Sequence, residues 1–134
     1  MTGFPLKIVT PDGVAFDGTA QQVTVRTTSG DVSILAGHIN YVAPLGMGEA
    51  SVLVDGEKRY AACIGGMISV VDGSVTLVPI TFEWADTIDK ARAEASQKRA
   101  EETLTDKNAS DIQIKLAEAR LKRALVRSSV ARRK

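Results

Sequence analysis

Apolar and polar residues alternate in short runs up to about residue 85, and the spacing then becomes helical. Leu6-Lys7-Ile8-Val9 is closed by Thr10-Pro11-Asp12-Gly13, where proline presets one turn dihedral and glycine accepts positive φ. Gln21 to Arg26 alternates, with Val23 and Val25 on one face, and Ser29-Gly30-Asp31 turns the chain into Val32 to Leu35. Two further hairpins follow one pattern. Ser51 to Val54 and Lys58 to Ile64 flank Asp55-Gly56, and Met67 to Val71 and Val75 to Pro79 flank Asp72-Gly73; Asp-Gly suits a type I′ turn. Ile80 to Trp84 makes a last strand. Strands this short and closely spaced predict a β-sandwich or barrel of about ten strands, paired antiparallel through their hairpins.

From residue 86 onward there is neither proline nor glycine. Asp86 is the expected N-cap of a first helix, with Asp89 three residues on, and Ile88, Ala91, Ala95 and Ala100 are its expected apolar face, ending near Leu104. Thr105 to Ala109 reads as a loop. Ser110 caps a second helix with Gln113 at the capping-box position; Ile114, Ala117, Leu121, Ala124 and Leu125 share one side, while Ile112 and Leu116 lie partly opposite. The fold class expected is therefore α+β: an antiparallel β-sandwich over 1–85 and an antiparallel two-helix hairpin over 86–134. An alanine-rich face buries little area, so the hairpin is expected to be weakly held and able to rearrange.

Charge divides the chain at the same place. Residues 1–85 carry four basic and eight acidic side chains, a balance of −4; residues 86–134 carry thirteen and eight, a balance of +5. All six aromatic residues lie at or before Trp84, and Arg120 to Lys134 holds seven basic residues and no acid. There is no apolar run of membrane-spanning length and no signal-peptide pattern at the N-terminus, so a soluble cytoplasmic protein is expected. The single cysteine, Cys63, sits among Ala61, Ala62 and Ile64 and reads as a small buried residue.

Candidate chemistry concentrates in the second half. Asp89, Arg92, Ser96 and Arg99 share one face of the first helix. Arg120, Arg123 and Arg127 cluster within about one sixth of a turn of the second. Converging guanidinium groups offer planar, bidentate donors to phosphate. The alternative is a solvated helix surface with Asp89 simply capping. His38, the only histidine, has no partner at metal-ligand spacing and is expected to shape the loop beside Gly37; Gly65-Gly66 lacks the Lys-Ser/Thr of a phosphate loop.

Four segments, in order, resemble the epsilon subunits of F-type ATP synthases. Residues 29–38, Ser-Gly-Asp-Val-Ser-Ile-Leu-Ala-Gly-His, resemble that family's GELGILPGH stretch; residues 62–70 resemble its VSGGFLEV pair of strands, and Val75-Thr76-Leu77-Val78 its VTIL strand. Ile88-Asp89-Lys90-Ala91-Arg92-Ala93 is similar to its I/L-D-x-x-R-A motif, which binds ATP in several members. Ala36, Ile39-Asn40-Tyr41 and Ser69 depart from the usual residues. The resemblance implies a non-catalytic rotor subunit, peripheral on the cytoplasmic face of the membrane, without catalytic or metal-binding residues. Its sandwich would dock on the gamma subunit and the membrane rotor ring. Its hairpin would restrain ATP hydrolysis by extending toward the catalytic alpha and beta subunits. It also implies ATP as a regulatory ligand, leaving magnesium open. Arg92 lies in the motif, Arg123 and Arg127 in a segment similar to LKRAMNR, and Glu83 matches a glutamate near the adenine. Ile88 would pack on the base, Asp89 would orient Arg92 or bond the base, and Arg99 and Arg120 would add charge.

Two rivals remain at this level. A nucleic-acid module would use the basic tail, but the tail has no aromatic residue to stack bases and the first half is acidic, so no nucleic-acid partner is expected. A free-standing regulatory protein of the same fold is separated only by its partners.

Overall fold

The computed structural model describes residues 2–133, which divide into two compact units, one ending at Trp84 and the other beginning at Ala85. The first unit is two five-stranded sheets. One has the order β2-β1-β9-β8-β5, built from β1 (Phe4–Thr10), β2 (Gly13–Ala20), β5 (Tyr41–Pro44), β8 (Met67–Val71) and β9 (Ser74–Val78). The other has the order β10-β7-β6-β3-β4, from β3 (Gln22–Thr27), β4 (Gly30–Leu35), β6 (Met47–Val54), β7 (Glu57–Ile64) and β10 (Thr81–Trp84). The alternation decides what faces inward. Leu6 and Ile8, Val23 and Val25, Ile68 and Val70, and Val75 and Leu77 are all buried in one hydrophobic cluster, while their neighbours point outward.

The hairpins form as their turn residues dictate. Asp55 and Asp72 have φ of 51° and 49°, and Gly56 and Gly73 both have φ of 83°, the paired positive values of a type I′ turn. Between β7 and β8, Gly66 has φ of 94°, and a Cβ there would overlap the carbonyl oxygen of Val78. Close backbone approach accounts for this glycine. Cys63 is buried on β7, which pushes its thiol pKa up to about 12. His38 Nδ1 lies 2.7 Å from the carbonyl oxygen of Ile39, and its ring meets Tyr41 edge-on.

Three features of the sandwich differ from the sequence expectation. β1 and β9 pair in parallel, Leu6 opposite Val75 and Ile8 opposite Leu77, since hairpin signals specify only consecutive neighbours. β2 and β5 carry no strand signal of their own. Both are edge strands: β2 exposes most of its residues and faces a register shift at Ile8/Val9, and β5 is four residues closed by Pro44.

The second unit begins with a 3-10 turn, Ala85–Thr87, followed by α1 (Lys90–Thr105) and α2 (Asp111–Ala131). The N-cap of α1 is Asp89 and not Asp86: its carboxylate accepts from the Arg92 backbone N–H at 3.0 Å, because the 3-10 turn occupies Asp86. Ser110 caps α2 with a complete capping box; Gln113 N–H donates to Ser110 Oγ at 3.2 Å, and Ser110 N–H donates to Gln113 Oε1 at 2.8 Å. The two helices pack on each other. The buried face of α1 is Ala93 and Ala100, not Ala91 and Ala95, which are exposed. On α2 Ala117, Ala124, Ser128 and Ala131 form a buried stripe, Val130 is buried beside it, and Leu125, expected on that side, is 45% exposed. The alanines recur every seventh residue on both helices, two turns apart, which is the spacing of a close helix–helix seam.

Candidate functional site

The seven candidate residues divide between the units. Glu83 belongs to the sandwich, half-buried on β10 opposite Ala62 of β7. Ile88, Asp89, Arg92, Arg99, Arg123 and Arg127 belong to the helical unit. Ile88 is 2% exposed, so it fills protein interior. Asp89 is exposed and engaged as the N-cap of α1.

The seam fixes where the arginines go. Each immediately precedes a buried seam residue: Arg92 before Ala93, Arg99 before Ala100, Arg123 before Ala124 and Arg127 before Ser128. One residue is about 100° of helix. In an antiparallel pair packed face to face, equal offsets from the two seams emerge on the same edge of the pair. The hairpin therefore presents Arg92, Arg99, Arg123 and Arg127 along one edge, with the exposed Arg120 one turn from Arg123 and two from Arg127. Counting outward from the loop, Ala93 is level with Ala124, which puts Arg92 near the level of Arg123 and Arg127; Arg99 lies closer to the loop. Three of the four are exposed and Arg127 is partly buried.

Three acids take the other edge, while Asp89 stays on the face of Arg92. Glu94 follows Ala93, Glu101 follows Ala100 and Glu118 follows Ala117, an equal and opposite offset. The arginine edge concentrates basic side chains, the donor type that suits a multiply charged anion. Among the described residues no group of three His, Cys, Asp or Glu side chains is placed to hold a metal ion.

Sequence reasoning missed Ala93, Ser128 and Ala131 as seam residues. The legible signal was there: alanines at 93 and 100, and at 117, 124 and 131, mark the seam, and the Arg-Ala-Glu triplets at 92–94 and 99–101 mark its two edges.

The architecture defines a class: a ten-stranded sandwich followed by a charge-segregated helical hairpin. Residues 3–85 match the family described as ATP synthase, Delta/Epsilon chain, beta-sandwich domain, and residues 86–132 the one described as ATP synthase, Delta/Epsilon chain, long alpha-helix domain. The chain is 44% identical to the ATP synthase epsilon chain of Ruminococcus albus, with all of both chains covered. It is 44% identical to that of Bacillus velezensis over 94% of this chain and 95% of that one. A chain in the cryo-EM structure of the Euglena gracilis mitochondrial ATP synthase, OSCP/F1/c-ring in rotational state 1, has the same fold, with TM-score 0.84 at 20% identity over 96% of this chain and 81% of that one. A chain of the Tetrahymena thermophila mitochondrial ATP synthase central stalk/c-ring aligns at TM-score 0.61 and 15% identity over 95% of each. The chain belongs to the ATP synthase epsilon-chain family.

Proposed function

We propose that the chain is a non-catalytic rotor subunit whose hairpin senses ATP. The sandwich docks on the gamma subunit and the membrane ring, at the cytoplasmic face of the membrane; no described helix is long and apolar enough to cross it. The hairpin has two forms, a compact one and an extended one that reaches the catalytic alpha and beta subunits and stops hydrolysis. ATP binds the compact form through Arg92, Arg123 and Arg127, with Arg99 and Arg120 adding charge, and shifts the population away from the inhibitory form. A ligand moves such an equilibrium only by its differential affinity. One observation carries the reading: the four arginines share an edge of the hairpin while Glu94, Glu101 and Glu118 take the other.

Isothermal titration of ATP into the full chain, with and without magnesium, tests it beside Arg92→Ala. Saturable binding that weakens roughly tenfold or more in the variant is expected for loss of one charge-assisted contact. Absence of binding to the wild type would sink ATP sensing. The basic run of α2 would then be left with direct contacts to acidic surfaces of the catalytic subunits.

A further inference from the structure

Ser128 lies on the buried stripe of α2, one turn beyond Ala124 and one turn before Ala131. It is 3% exposed, and its Oγ is buried with no hydrogen-bond partner among the described residues. Serine is scarcely larger than alanine, so the hydroxyl adds almost nothing to packing. The buried alanines of α2 recur at seven-residue spacing, Ala117, Ala124 and Ala131, and Ser128 falls between the last two. A buried hydroxyl that has given up water and gained no partner weakens the state that buries it. When α2 leaves the residues that cover Ser128, that hydroxyl recovers its water. The cost therefore falls on the packed hairpin alone, not on the separated helices.

We infer that Ser128 is an opening bias built into the hairpin seam: its orphaned hydroxyl holds the compact form close to the point of release, so that a modest ligand or partner preference decides the state. The inference rests on the two-form reading of the hairpin, and adds to it the residue that sets the balance. It also gives the one buried polar side chain of α1 and α2, among the described residues, a role that packing does not.

Hydrogen exchange on the full chain tests this by comparing Ser128→Ala with Ser129→Ala. Ser129 is its exposed neighbour, so Ser129→Ala measures the gain in helix propensity alone, roughly a twofold slowing. Ser128→Ala is expected to slow exchange of the α1 and α2 amides by roughly tenfold and leave the sandwich amides unchanged. If Ser128→Ala slows the helices no more than Ser129→Ala does, while the wild-type helices open independently of the strands, the inference alone is overturned. Equal protection of helices and strands in the wild type would overturn the two-form reading and the inference with it.

Discussion

The sandwich and the hairpin bury different things. Ten of the twelve largest fully buried side chains are in the sandwich, among them Leu6, Ile8, Ile34, Ile68 and Leu77; only Ile88 and Val130 are in the helical unit. A fully buried Leu or Ile contributes about 1.5–3 kcal/mol, whereas an alanine methyl contributes roughly 0.8 kcal/mol. The buried residues of α1 and α2 are alanine at five positions, a serine with an unsatisfied hydroxyl at a sixth and Val130 at a seventh. Small side chains let two helices approach closely, but they stabilise that approach little. The difference predicts unequal stability: the sandwich, held by large side chains, is expected to open less readily than the hairpin, held by small ones.

The sharpest way to break this contrast is to weaken the sandwich alone. Leu77→Ala is expected to destabilise it by about 2–5 kcal/mol, read by chemical denaturation. Alkaline pH should act on the same unit. Burial raises the Cys63 thiol from 9.0 in the unfolded chain to about 12, so the folded chain holds a proton that the unfolded chain loses. That contribution is fully present below pH 9 and disappears as pH rises toward 12. Cys63→Ala should flatten the slope of stability against pH in that window; an unchanged slope would show that the thiol is not the group responsible. Gly66→Ala should cost more than about 1 kcal/mol, because the position needs a positive φ and a Cβ would strike the Val78 carbonyl. If denaturation of that variant matched the wild type, the β7–β8 turn would have to relax more readily than its geometry implies.

The hairpin turns of the sandwich were legible because they are local. Asp55-Gly56 and Asp72-Gly73 specify their dihedrals within two residues. The parallel pairing of β1 with β9 was not legible, since it joins residues far apart through a shared core that no local signal encodes. Edge strands β2 and β5 were faint for a related reason: a strand with one partner and one open side is under weaker pressure to alternate. On the helices, the arginine faces could be read from spacing, because charge is conspicuous. The seam was misread by two residues on α1, because alanine occurs at 91, 93, 95 and 100 and is equally at home inside and out. Placing the N-cap at Asp86 followed from the same ambiguity; both aspartates suit a cap, and only the 3-10 turn at Ala85–Thr87 decides between them.

The smallest expected effect sharpens the comparison most, because it acts on the hairpin without touching any packing. Ser110 and Gln113 satisfy each other's backbone N–H groups at the start of α2. Ser110→Ala removes one half of that exchange and should cost about 1 kcal/mol, whereas Ser110→Gly should cost only a few tenths, since glycine leaves the end open to water. Because the seam supplies so little, a loss of this size is a large share of what holds the hairpin. Amide exchange in α1 and α2 should therefore accelerate severalfold in Ser110→Ala, while the β6 and β7 amides exchange as before. Should the strands speed up together with the helices, the two units would unfold as one, and the separation between a firm platform and a labile hairpin would fail.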